Sequence, residues 1–195
     1  MSMIQVHEAR DKILSKIKFK GVEKVSLDQA LGRVLVEDVI SQINNPPLDN
    51  SAMDGYALVA SDIKSATPEN PVELEVVEEI AAGYKAKGTL KSGQAMRIMT
   101  GAPIPPGANA VLMQEDTEKK ATSILCMDKA DSQENIREAG EDVKVGETVL
   151  KKGVTLSPAH IGMLAVLGRS QIAVSQRPTV AILSTGDEIL ELDEV

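Results

Sequence analysis

The sequence predicts a multidomain α+β chain. Three observations carry this. From Val72 to Cys126, short apolar stretches alternate with turn signals, as in a small barrel or sandwich. Outside that stretch, helical signals mark the N-terminal segment and Ser157–Gly168. Near the end, Thr179–Leu183 is an apolar run without alternation, the mark of a parallel strand buried on both faces. At 195 residues the chain has room for one to two domains.

The elements follow in order. Val6, Ala9, Ile13, Leu14 and Ile17 share one face of a helix. That face can dock on its own domain or on a partner subunit, and the sequence leaves both open. Ser26 and Gln29 have capping-box spacing and predict a short helix over Asp28–Leu31, ended by Gly32. Val34–Ile40 reads as a strand. Asn44–Ser51 breaks all periodicity with two prolines and several turn formers. In the β-textured region, Val72, Leu74 and Val76 mark one face, followed by strands at Ala95–Met99, Ala110–Met113 and Ser123–Met127. The charged segment Glu115–Lys120 is expected to separate strands, and Ala130–Glu134 to be a polar linker. A further β-rich stretch covers Asp142–Leu156, with turns at Gly146 and Gly153. Ser157 is a good N-cap, Pro158 suits the first helical turn, and Gly168 suits the stop. A strand over Gln171–Val174 should follow. After Thr179–Leu183, Ser184-Thr-Gly-Asp-Glu188 sits at a strand's carboxyl end, where doubly wound sheets bind ligands. Too few residues follow for a crossover and a second parallel strand, so truncation inside a further domain is expected. A lone apolar strand has no sheet to join, so residues after about Pro178 are expected to be disordered or paired with a neighbouring chain.

Composition narrows the functions. Twenty-one Lys and Arg stand against 29 Asp and Glu, a net charge of −8. Such a chain lacks the basic face that general nucleic-acid binding requires. An anionic ligand would need a locally built site. His7 and His160 are far apart and Cys126 is alone, which argues against a zinc site. The single cysteine fits a reducing, cytoplasmic compartment. No apolar run spans a bilayer, and the N-terminus has no signal-peptide core. Phe19, Tyr56 and Tyr84 are too few for base-stacking platforms, so the core is aliphatic.

Four segments concentrate chemistry. Asp49, Asn50, Ser51 and Asp54 lie on one loop; they suit an anion, a divalent cation or a water, and equally an Asx-type turn. Thr100 and Gly101 precede a proline-stiffened loop and could approach an oxyanion, or merely connect strands rigidly. Arg137, Glu141 and Asp142 surround Gly140, and could pair with an anion and a cation or form a solvated turn. Ser184–Glu188 is the fourth segment.

The stretches PPLDNSAMDGYAL, RIMTGAPIPPGANAVLMQEDT, NIREAGEDV and VAILSTGDEI together resemble the molybdopterin molybdenumtransferases, the MoeA proteins and the related E domain of gephyrin. The resemblance covers about the first half of a typical member. It implies an elongated α/β dimerisation domain with an inserted small β-barrel domain, ending at the first strand of a truncated α/β domain. The implied boundaries are 1–50 and 142–177 for the elongated domain, 51–141 for the barrel, and 178–195 for the start of the molybdopterin-binding domain. It implies insertion of molybdate into adenylylated molybdopterin with release of AMP, aided by a divalent cation such as Mg²⁺. The matching catalytic positions are Asp54, Thr100, Asp142 and Glu188, with Asp142 and Glu188 as cation ligands. Asn50, Ser51, Gly101, Arg137, Ser184, Thr185 and Gly186 would bind the anionic substrates. The implied partners are a second copy in a homodimer and other molybdenum cofactor biosynthesis proteins. The missing half implies that this chain alone does not turn over. The rival reading is a non-catalytic dimerisation or protein-docking module, the scaffolding use seen in gephyrin; an unrelated Mg²⁺-dependent phosphohydrolase is a third.

Overall fold

The structure is a computed structural model and describes residues 4–186 and 188–190. In chain order the elements are α1 (Val6–Lys16), β1 (Val22–Ser26), β2 (Val39–Ile40), β3 (Asn50–Ser51), β4 (Gly55–Leu58), β5 (Val72–Ile80), β6 (Gln94–Ile98), β7 (Ala110–Met113), β8 (Thr117–Lys119), β9 (Ser123–Cys126), β10 (Ile136–Arg137), β11 (Thr148–Leu150), α2 (Pro158–Val166) and β12 (Gln171–Ser175). The chain divides into two units, one built from residues up to Val39 and from Leu150 onward, the other from Ile40–Val149.

The second unit is organised by a six-stranded sheet in the order β7-β4-β6-β5-β9-β8. Its pairs are antiparallel except β5 with β6. One cavity is lined from both β4 and β8, four places apart in that order. At about 4.8 Å per strand a flat sheet would hold them roughly 19 Å apart, so the sheet curls toward a half-barrel. Both of its faces are covered. Tyr56, Leu58, Leu74, Ala95, Leu112 and Ile124 fill one core, while Ala57, Ile80, Met96, Ile98 and Val111 fill another. All four residues of β4 are buried as a result. A register shift between Val76 and Glu78 in β5 leaves Val77 exposed.

In the first unit β1 and β12 pair antiparallel, Val22 with Ser175 through Ser26 with Gln171. Val25, Leu35, Leu156, Leu164, Ile172 and Val174 are buried there. Arg33 is buried too, held by an ion pair with Glu23 and a 2.8 Å donation to the Ser175 carbonyl. α2 starts as predicted. Ser157 Oγ accepts from the His160 N–H at 3.5 Å, and His160 Nδ1 accepts from the Ser157 N–H at 3.1 Å, a reciprocal cap closed by an unexpected residue type.

Several expectations need correction. Ser26 makes no side-chain cap, and only a 3-10 turn forms, over Leu27–Gln29. Val34–Ile40 yields β2 alone, with single bridges from Val34 to Thr155 and Leu35 to Val174. Within Glu115–Lys120, Thr117–Lys119 is itself a strand, because it gains an antiparallel partner in β9. The Asp142–Leu156 stretch contributes only β11. Thr179–Leu183 forms no strand; it finds no ladder partner among the described residues, and Val180, Ile182 and Leu183 are exposed. Among the described residues nothing covers the apolar side of α1 either, with Val6, Ile13, Leu14 and Ile17 exposed. Among the described residues no helix is long and apolar enough to cross a membrane.

Candidate functional site

The second unit holds seven of the predicted site residues, and one run of backbone hydrogen bonds links four of them, Asn50, Ser51, Gly101 and Arg137. β3 and β10 pair Asn50 with Arg137 and Ser51 with Ile136. On the other side of β3, the Gly101 N–H donates to the Ser51 carbonyl at 2.8 Å and the Ser51 N–H to the Ala102 carbonyl at 3.0 Å. The loop carrying Thr100 and the loop carrying Arg137 thus flank the same two residues. The Ser51 hydroxyl closes the turn toward Asp54, donating to the Met53 carbonyl at 2.6 Å.

Asp54 follows that turn, just before β4. Thr100 donates to Asp54 Oδ1 through its N–H and through its hydroxyl, each at 2.7 Å. The two donations, with a smaller contribution from the Arg97 charge, hold the Asp54 carboxyl below its ordinary value. Oδ2 has no hydrogen-bond partner among the described residues. A carboxylate so held is a weak base but a permanent charge, with one open oxygen to orient a water or a cation.

This geometry qualifies the expected role of the Thr100–Gly101 loop. Both Thr100 donors are spent on Asp54, the Gly101 N–H on Ser51, and the Ala102 N–H on the Met99 carbonyl. The loop holds Asp54 and offers no free amide there to an oxyanion. Gly101 takes φ +80°, with open space where a Cβ would stand. Its glycine serves the turn itself.

At the other end, Arg137 Nη2 donates to Asp142 Oδ2 at 2.9 Å, and its Nε lies 3.8 Å from Glu141. Asn45 Nδ2 also reaches Asp142 Oδ2, at 3.3 Å. The guanidinium is pinned by acidic neighbours, and Nη1 has no partner among the described residues. That leaves Nη1 as a donor on a guanidinium held in place, chemically suited to an anion. Asn50 Oδ1 is buried and lacks a hydrogen-bond partner among the described residues. Beside these residues a cleft of about 400 Å³ is lined by Leu48, Asp49, Lys85, Pro103, Ile104 and Ala139, among others. Asp49 is fixed there by a 2.8 Å donation from the Ala139 N–H. Lys85 carried no sequence signal, because it lies outside the motif segments.

Ser184, Thr185, Gly186 and Glu188 belong to the first unit, on the exposed segment after β12. Gly186 is closely approached by the Glu188 carboxylate, which a Cβ would meet at 2.5 Å. Among the described residues no three His, Cys, Asp or Glu side chains gather as a cation site.

Comparison with known proteins identifies the family. The family model described as MoeA N-terminal region (domain I and II) matches residues 4–168. A molybdopterin molybdenumtransferase of Staphylococcus epidermidis is 38% identical over 192 residues, covering 98% of this chain and 46% of that protein. A molybdopterin molybdenumtransferase 2 of Mycobacterium tuberculosis is 46% identical over 165 residues, covering 85% and 41%. The crystal structure of the molybdopterin biosynthesis moeA protein from Pyrococcus horikoshii superposes with a TM-score of 0.81 at 41% identity, over 89% of this chain and 46% of that one. The chain therefore spans about half the length of the curated relatives it matches. By its motifs, its fold and these matches, it belongs to the MoeA family through that family's N-terminal region.

Proposed function

We propose that this chain is the N-terminal part of a transferase of molybdenum cofactor biosynthesis, and that the whole protein inserts molybdate into adenylylated molybdopterin and releases AMP. The observation that carries this is the Asp54–Thr100 clamp. It keeps a carboxylate charged and fixed in place, and Asp54 and the pinned Arg137 both lie on motif segments that resemble those of molybdopterin molybdenumtransferases. The reaction breaks a phosphoanhydride and moves an oxyanion. It needs fixed charges and an oriented water where negative charge develops. Asp54 supplies the orienting carboxylate through Oδ2. Arg137 supplies a donor to the anion. Thr100 and Asp142 act through those two groups by holding them.

On the family's pattern a divalent cation such as Mg²⁺ would use Asp142 and Glu188. Asp142 Oδ2 is already engaged by Arg137 and Asn45, and the described residues offer no ready cage, so Asp142 as placed serves to hold Arg137. Ser184, Thr185 and Gly186 are assigned to the pterin-binding α/β domain beginning near 178. Residues 1–50 with 142–177 are assigned to the elongated domain, and 51–141 to the inserted barrel. The uncovered apolar side of α1 supports a homodimer, in which a second copy buries Val6, Ile13, Leu14 and Ile17. Cytoplasmic residence and contact with other proteins of the pathway complete the reading.

The test is AMP release by the full-length protein containing this chain, given adenylylated molybdopterin with and without molybdate. The expected result is AMP formed in step with molybdate-dependent cofactor. Release that ignores molybdate contradicts the assignment and favours the phosphohydrolase reading, and no release contradicts it and favours the docking-module reading.

A further inference from the structure

The curled sheet has a polar mouth that the site above does not use. Tyr56 on β4, Arg97 on β6 and Glu79 on β5 are register neighbours across three adjacent strands, so their side chains share one face. The Arg97 guanidinium lies over the Tyr56 ring, 6.0 Å from its centroid. Here the sheet encloses a cavity of about 220 Å³, closed from the far side by Lys119, Lys120, Thr122 and Ser123. Tyr56 is only 2% exposed, and the cavity reaches its side chain. Its hydroxyl can both donate and accept, so it suits a polar guest there.

Charge at this mouth runs against the chain's net −8. Arg97, Lys119 and Lys120 line it, with Glu79 the only acid in its wall. The nearby ion pairs are loose. Arg97 to Glu79 spans 3.7 Å and Lys120 to Glu73 3.5 Å, with carboxylates 63% and 54% exposed. Pairs of that kind bind weakly and yield to a better-placed anion. Glu73 is also tied to the Ser123 hydroxyl at 2.6 Å, which leaves Lys120 its more mobile partner. Lys119 forms no ion pair among the described residues. The volume holds several waters of about 30 Å³ each, so a tetrahedral oxyanion fits with hydration to spare.

We propose that this mouth is a second anion-binding site, taking a tetrahedral oxyanion through the Arg97 guanidinium, the Lys119 and Lys120 ammonium groups and the Tyr56 hydroxyl. The anion is a free ion or the phosphoryl end of a larger molecule. Mouths of small barrels are common ligand positions because the sheet fixes the lining residues rigidly. The site rests on residues apart from Asp54, Thr100, Arg137 and Asp142, so it stands or falls without the transferase reading.

The experiment is amide NMR titration of the 195-residue chain with inorganic phosphate, molybdate and phenyl phosphate. The expected result is saturable shifts at Tyr56, Arg97 and Lys119–Ser123, at about millimolar concentrations or below. Y56F removes only the hydroxyl and should weaken binding about threefold or more; K120Q should weaken it similarly, and R97Q by about tenfold or more. Y56F and K120Q test the site even where R97Q loses amide dispersion. Binding of phosphate and molybdate alone assigns a free ion, and binding of phenyl phosphate alone assigns a phosphoryl group on a larger ligand. No saturable shift at these residues with any probe overturns the proposal. So does binding that Y56F and K120Q both leave unchanged.

Discussion

Thr100 commits both of its donors, main-chain N–H and hydroxyl, to the same oxygen of Asp54, each at 2.7 Å. The pairing joins residues 46 positions apart and fixes the carboxylate at the start of β4 to the end of β6. Removing the hydroxyl alone should therefore let the Asp54 carboxyl rise toward its ordinary value of 3.8. The sign follows from linkage. A carboxyl held low in the folded state adds stability that is present above the unfolded value and lost as pH falls through the folded one. T100A should lessen that acid-side loss below about pH 3.8, with T100S close to wild type. Carboxyl carbon shifts followed by NMR against pH check this; identical Asp54 titration in T100A and wild type would show that the hydroxyl bond does not form in solution.

Gly55 explains why a glycine follows Asp54. A Cβ there would collide with the Leu112 carbonyl oxygen of the neighbouring strand β7. Backbone cannot yield as a side-chain tip can, so G55A should cost about 1–3 kcal/mol or more. Urea denaturation read by circular dichroism measures it, and a midpoint equal to wild type would mean that β4 and β7 lie farther apart.

In the first unit, the buried Arg33 ties β1 to the end of β12 through Glu23 and the Ser175 carbonyl. R33M keeps much of the packing and leaves that carbonyl without its charged donor. The expected loss is about 1–3 kcal/mol. At about 2–4 °C per kcal/mol for a chain of this size, the melting temperature should fall by several degrees. E23Q should fall less, because Glu23 is 38% exposed.

What the sequence revealed depended on how local the cause was. Ser157, Pro158 and Gly168 announce α2 because caps act within one turn, though nothing announced His160 as the reciprocal cap. The alternation in Val72–Val76 announced β5 for a similar reason. β4 left no such trace. Its four residues are covered on both faces, so it has no polar side to alternate with, and it lies inside the MDGY motif. Thr179–Leu183 has the composition of a central strand, but composition does not provide the neighbouring strands that its backbone requires. The motifs pointed to Asp54, Thr100, Arg137 and Asp142 one by one. Their pairings, Thr100 on Asp54 and Asp142 on Arg137, arise from loop geometry, and so does the engagement of the Gly101 amide with Ser51.

Cys126 lies fully buried in the core of the curled sheet, and burial pushes its thiol up to about 12. At pH 8 almost none of it is thiolate, the reactive form. Ellman's reagent should label the folded chain slowly, and one thiol per chain at once in denaturant. Fast stoichiometric labelling of the folded chain would place β9 nearer the surface.

Single-turnover AMP release by full-length protein carrying D54N tests the role of the Asp54 charge most directly. Asparagine keeps the shape and can still accept from Thr100, but removes the charge. The molybdate-dependent rate should fall by at least about tenfold, with the melting temperature nearly unchanged because Asp54 lies on an exposed loop. Wild-type turnover accompanied by a lower melting temperature would contradict that role and make the Asp54–Thr100 pair a structural turn.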